Sequence, residues 1–130
     1  MNILTFDIED WFHILEHDQV NNRELWSSFQ SRIHESVDKI LDLLASKNQR
    51  ATFFCLGWIA DQHPEIIRLI NDHGHDIASH SYYHELVTKQ SQHEFHQDLE
   101  RSIHVLSDTI GKKSLPIELP DFLFQNKLLD

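Results

Sequence analysis

The chain is short of several things at once. It has one cysteine, three glycines, three prolines, and only 11 lysines and arginines against 21 aspartates and glutamates in 130 residues. A single cysteine excludes an internal disulfide, so no covalent staple holds the fold. Cys55 lies in "ATFFCLGW", an apolar run where a small buried hydrophobe is the expected role, not a reactive thiol. No apolar run approaches the roughly 20 residues of a membrane span. The opening "MNILTFDIED" lacks the basic-then-apolar order of a secretory signal, so the sequence reads as cytoplasmic. The formal charge of −10, spread without an acidic tail, argues against nucleic acid and anionic membranes as partners. It suits a neutral or cationic substrate, or a bound cation. There is no linker, repeat or low-complexity segment. Hydrophobic residues make up 40% of the chain, enough for the core of one modest domain.

Because breakers are scarce, each one marks a boundary. Four short β-type runs are bounded this way: "NILTFDI" (2–8), "ATFFCLG" (51–57) stopped by Gly57, "DIASHS" (76–81) after Gly74, and a weaker "SLPIEL" (114–119) interrupted by Pro116. Helical patterns fall between them. Val37, Ile40, Leu41 and Leu44 recur at i, i+3, i+4 and i+7, predicting a helix over about 34–47. Pro64 is placed to open a second, with Ile66, Leu69 and Ile70 inward and Gly74 closing it. Ser91 and Glu94 form a capping box that starts a third. On it Phe95, Leu99, Ile103, Leu106 and Ile110 share a face, with Gly111 as terminator. The order β-α-β-α-β-α-β predicts an α/β fold with a parallel sheet and right-handed crossovers. Residues 10–30, long and aromatic, read as a loop or short helices over a strand end.

Eleven histidines make spacing alone uninformative, since random placement gives roughly one His-x-x-x-His. Two occur, His13 with His17 in "HILEH" and His80 with His84 in "HSYYH". Position separates them. Ligands of parallel α/β folds collect at the carboxyl ends of the strands. The first strand ends in Asp7, Glu9 and Asp10, and the third in Ser79 and His80, with His84 just beyond. One carboxylate and two neutral imidazoles make a three-ligand set for catalytic zinc that leaves room for water. A second carboxylate can then take a proton from that water. Plain structural roles stay open for the acids: a loop cap for Asp7, a solvated turn for Glu9 and Asp10. His13, His17, His63, His73, His93, His96 and His104 lie in the irregular stretch or on helices, where solvated or structural roles are expected.

"LTFDIED" followed by "GHDIASHSYYHE" resembles the first two signature motifs of the polysaccharide deacetylase family (NodB-homology, carbohydrate esterase 4). The fuller pattern "TFDIEDWFH … ATFFCLGW … GHDIASHSYYHELV" is similar to the branch associated with exopolysaccharide and O-antigen synthesis. The likeness runs from residue 2 to about residue 113. It implies a distorted (β/α) barrel and a metal-dependent hydrolase, usually with zinc. The implied substrate is an N-acetylated polysaccharide or oligosaccharide, which loses acetyl from its amino-sugar units. By position Asp7 matches the general base, and His80 and His84 the imidazole ligands. Many members place the ligating acid directly after the base, where Ile8 stands here. Branches with an Asp-x-Asp arrangement point to Glu9, with Asp10 as second choice. Trp11 and Phe12 either stack on sugar or pack under their loop. Related domains also hydrolyse small amides.

The likeness weakens late in the chain. Where a third motif of the form Arg-Ala-Pro belongs, "IELPDF" keeps Pro120 but puts Glu118 in the place of the Arg, a charge that would repel Asp7. No later motif is matched beyond Phe122. A full (β/α) barrel usually needs about 250 residues. The expectation is therefore one partial domain over 1–130, the N-terminal half of the barrel, in a truncated chain. An open sheet edge would invite self-association. A catalytically inactive remnant that binds metal or sugar is the alternative outcome.

Overall fold

The computed structural model describes residues 2–15, 22–112 and 115–117. Three strands, β1 (Thr5–Ile8), β2 (Thr52–Cys55) and β3 (Asp76–Ser79), form a parallel sheet in the order β1-β2-β3. Their register is flush. Thr5 pairs with Thr52 and Thr52 with Asp76, while Ile8, Cys55 and Ser79 close the three strands in one row. All three carboxyl ends therefore open onto the same edge. The weaker "SLPIEL" run arrives beside β3 as a single parallel bridge, Ser79 to Ile117. Pro116 cannot donate there, but its carbonyl accepts the Ser79 N–H at 2.8 Å. Glu118, Pro120 and His17 lie outside the described residues.

Four helices flank the sheet: α1 (Ile33–Ser46), α2 (Gly57–Gln62), α3 (Pro64–Asp72) and α4 (Gln92–Ile110). α1 buries Val37, Leu41 and Leu44 as its periodicity predicts. Ser91 caps α4 with the reciprocal Glu94 contact, and Gly111 ends it in the left-handed conformation at φ 72°.

Two features were not expected. A single helix is expected between β2 and β3, and there are two. Pro64 lacks an N–H and pushes the preceding residue out of helical geometry, so His63 sits at φ −136°, ψ 58° and breaks the path. α2 is also too short for a 3.6-residue period to show in sequence. On α4 the expected stripe does share the inward face, Leu106 fully buried and Phe95, Leu99, Ile103 and Ile110 half-buried, and what the pattern did not show is the fully buried Ser102. The cause is Gly57, whose missing Cβ lets the α4 backbone in: a Cβ there would lie 3.0 Å from Ser102 Cα. Ser102 sits at that contact.

The main core joins Ile8, Phe53 and Ile77 of the sheet to Val37, Ile59, Ile67 and Leu106 of the helices. Each such aliphatic side chain contributes about 1.5–3 kcal/mol through burial. A second, aromatic core lies under the described part of the stretch 10–30, where Trp11–His13 and Arg23–Ser28 form short 3-10 helices. Phe12 and Trp26 are buried there, and Trp26 packs edge-on against Trp58 at 5.3 Å. Phe12 therefore packs under its loop. Trp11 is partly exposed and donates its indole N–H to the Gln30 carbonyl at 2.9 Å. Among the described residues, no helix is long and apolar enough to cross a membrane.

Candidate metal centre

At the end of β1, Ile8 turns into the core, while its neighbours Asp7 and Glu9 remain partly accessible. Asp10 is buried and committed to structure. One of its oxygens accepts the Trp11 N–H at 2.9 Å, and the other accepts the Ser31 hydroxyl at 2.5 Å and the Arg32 N–H at 3.2 Å. Glu9 is the acid of this turn that faces the histidines.

At the end of β3 the His80 N–H extends the ladder by donating to the Cys55 carbonyl at 3.0 Å. The chain then turns sharply. Ser81 (φ 66°) and His84 (φ 56°) are both left-handed, so this His-x-x-x-His spans a loop and not one turn of a helix. Non-glycine residues in that region cost of order 1–3 kcal/mol each unless their surroundings hold them. Here they are held. Asp98 of α4 accepts the Tyr82 N–H on one oxygen at 2.8 Å and the Tyr83 N–H on the other at 3.0 Å. Ser81 Oγ accepts the His84 N–H at 3.0 Å. The Ser81 carbonyl accepts the Gly57 N–H at 2.9 Å and the Ser102 hydroxyl at 3.0 Å. Burial pushes the Asp98 carboxyl above its ordinary value, and the two N–H groups draw it partly back.

His13 supports the site from below. Its Nδ1 accepts the Asp10 N–H at 2.7 Å, and its carbonyl accepts from His84 Nδ1 at 2.9 Å. Burial, helped by repulsion from His84, holds the His13 imidazole down at about 3, so it stays neutral. Cys55 is fully buried, and burial pushes its thiol up. It is inert packing, as its apolar run predicts.

Glu9, His80 and His84 each offer one ligand atom, and these atoms lie within 4.8 Å of one another. Their protonation decides what the trio can hold. A carbonyl can only accept, so His84 Nδ1 carries the hydrogen and its Nε2, in the neutral ring, is a lone pair. That Nε2 faces the buried Glu9 Oε2 at 2.9 Å, within ion-pair distance. Groups that close share either a proton, as an imidazolium–carboxylate ion pair, or a metal cation. A proton would serve one pair, but a third base, the His80 imidazole, converges on the same point, with its ring 5.1 Å from that of His84. The donor set and the fixed tautomer fit a divalent metal. Asp7 stands alongside, its Oδ2 3.9 Å from His80 Nε2.

Of the residues singled out from sequence, Glu9, His80 and His84 come together, Asp7 flanks them and Asp10 caps a turn. His13, Ser81 and Asp98 act on the site without having been singled out for it. One signal was available for Asp98: it sits four residues before Ser102, a polar i, i+4 pair beside an apolar stripe.

A parallel sheet with this group at its carboxyl edge defines an α/β protein of parallel β-α-β units. The chain belongs to the polysaccharide deacetylase family, whose sequence profile matches residues 17–129. That span includes His80 and His84 but not Asp7 or Glu9. The chain is similar to a peptidoglycan-N-acetylglucosamine deacetylase of Bacillus cereus, 35% identical over 77 residues that cover 59% of this chain and 28% of the relative. It is likewise similar to chitin deacetylase 2 of Saccharomyces cerevisiae, 33% identical over 101 residues, 77% of this chain and 31% of the relative. Among solved structures, a family 4 carbohydrate esterase from Streptomyces lividans in complex with acetate superposes with a TM-score of 0.66 at 25% identity. That superposition covers 91% of this chain and 50% of the esterase. The chain thus spans about a third or less of the length of these curated relatives.

Proposed function

We propose that this chain bears the metal-holding and base-bearing part of a deacetylase that removes acetyl groups from the amino sugars of a polysaccharide. The motif variant directs the reading to exopolysaccharide or O-antigen-type glycans. The observation that carries it is the convergence of Glu9, His80 and His84, whose ligand atoms lie within 4.8 Å of one another, with Glu9 Oε2 2.9 Å from His84 Nε2. Glu9, His80 and His84 would hold a divalent ion, zinc by the chemistry of the donors. That ion would supply Lewis acidity, polarising the amide carbonyl and making water nucleophilic at neutral pH.

The remaining work falls to side chains. Asp7 takes the proton from the attacking water at a carboxylate oxygen, and its partial exposure leaves it reachable by solvent and substrate. The His13 carbonyl fixes the His84 ring so that Nε2 and not Nδ1 faces inward. Asp98 and Ser81 hold the loop so that both imidazoles project to the same side. The net negative charge suits a neutral N-acetylated glycan and favours the cationic amine formed on it.

The test is deacetylation of an N-acetylglucosamine oligomer by the zinc-loaded chain, with metal content measured in parallel. Wild type is expected to release acetate. Asp7→Asn is expected to keep its zinc and lose at least about 100-fold in rate, the usual weight of a general base. His80→Ala/His84→Ala is expected to carry one equivalent of zinc less than wild type. Equal zinc in wild type and the double variant overturns the ligand set, and turnover that survives Asp7→Asn overturns the assignment of the base.

A further inference from the structure

Away from this edge, a second group of possible ligands sits on the outer face of the helices. His34 lies in the first turn of α1, His63 is the break between α2 and α3, and Glu65 lies in the first turn of α3. We propose that His34, His63 and Glu65 form a second metal site, a surface site for zinc or a similar first-row transition-metal dication, that clips α1 to the α2–α3 junction.

The geometry is convergent. Glu65 Oε1 lies 2.8 Å from His34 Nε2 and 3.6 Å from His63 Nδ1, so one carboxylate oxygen faces two imidazole nitrogens. The two rings stand edge-on, 4.9 Å apart at 82°. A single oxygen flanked by two imidazoles makes one good hydrogen bond and leaves the second ring at contact distance only. A tetrahedral ion with bonds of about 2.0–2.1 Å places its ligands about 3.3 Å apart. The two separations from Glu65, 2.8 and 3.6 Å, bracket that value, and all three ligand atoms lie within 4.8 Å of one another. The side chains are free to adjust, since His34 and Glu65 are about half exposed.

Two imidazoles and a carboxylate are borderline donors that suit zinc, copper and nickel over magnesium or calcium. With three protein ligands, a fourth position stays open to water or to a neighbouring molecule. The site has a structural reason to matter. The backbone break at His63 carries no side-chain cap, and the ligands join segments 31 residues apart. The other exposed pair of this kind, His104 with Asp108 on α4, brings no third ligand and belongs to no such group among the described residues.

The test is cobalt(II) titration followed by visible absorbance, with zinc content measured after equilibrium dialysis. The chains compared are wild type, His34→Asn/His63→Asn, Glu65→Gln and His104→Asn. His34→Asn/His63→Asn is expected to bind one equivalent less than wild type, whatever the edge site binds. Glu65→Gln, which keeps shape and removes charge, is expected to weaken the same equivalent at least tenfold. His104→Asn is expected to match wild type. The thermal midpoint of wild type should rise with zinc by more than that of His34→Asn/His63→Asn. Equal metal content in wild type and His34→Asn/His63→Asn overturns the proposal, and so does an equal loss in His104→Asn. Unchanged affinity in Glu65→Gln removes Glu65 from the site and overturns the three-ligand assignment.

Discussion

Gly57→Ala is the substitution in which local propensity and tertiary packing disagree most clearly. Gly57 opens α2, where alanine is the better helix former. Propensity and the smaller entropy of the unfolded chain would together favour alanine by about 0.4–1 kcal/mol. Packing says the reverse. An added Cβ would lie 2.5 Å from Tyr82 Cδ2, 3.0 Å from Ser102 Cα and 3.2 Å from Ser102 Cβ. Carbon atoms rest at about 3.5–4.0 Å, so about 1 Å of overlap must be relieved. Neither neighbour yields easily. The Tyr82 hydroxyl donates to Asp61 at 2.5 Å, its ring lies 3.8 Å beneath the Arg101 guanidinium, and its N–H is bound to Asp98. Ser102 Cα is backbone in the middle of α4. Overpacking of this kind costs about 1–3 kcal/mol, and against the gain from alanine the mid-range values leave a net loss of about 1 kcal/mol, with about 2.5 kcal/mol as the upper end. At a few degrees per kcal/mol for a chain of this size, the thermal midpoint should fall by about 4–10 °C. Tyr82 sits between His80 and His84, so metal affinity at the sheet edge should weaken as well. Circular-dichroism melts and zinc titration measure both. A midpoint that stays put or rises in Gly57→Ala would show that helix propensity governs this position and that the close approach of α4 does not.

Three further outcomes follow from the same geometry. The folded chain holds His13 at about 3 against an ordinary 6.5, so the unfolded chain takes up the proton first as pH falls. Stability is then full above about pH 6.5 and declines toward pH 3 by about 1.4 kcal/mol per unit, or about 2 kcal/mol between pH 7 and 5. Urea midpoints across that range should trace the loss, and a flat profile would contradict a buried neutral His13. Asp98→Asn turns one of two N–H acceptors into a donor, and the unsatisfied N–H should lower stability by about 1–3 kcal/mol and loosen the His80–His84 loop. An unchanged urea midpoint would refute that. Cys55 should resist a thiol reagent in the native chain and react on unfolding, and rapid native labelling would contradict its burial.

What could be read without coordinates was local. The α1 stripe, Pro64 opening α3, the Ser91–Glu94 box and Gly111 closing α4 each depend on residues within one or two turns of one another. That the acids Asp7, Glu9 and Asp10 would share an edge with His80 and His84 was legible for a related reason: strand ends can be placed from apolar runs, and parallel strands send their carboxyl ends to one edge. The tertiary structure decided the rest. It added α2 ahead of the expected Pro64 helix, seated Ser102 of α4 against Gly57 and gave Asp10 to a turn while leaving Glu9 to the histidines. It also set the hydrogen on His84 Nδ1 through a carbonyl 71 positions away, and brought His34 against Glu65. A hydrogen bond or a shared ligand position depends on distances of a few tenths of an ångström between groups far apart in the chain. Residue types and periods carry no such distances until the sheet and helices have packed.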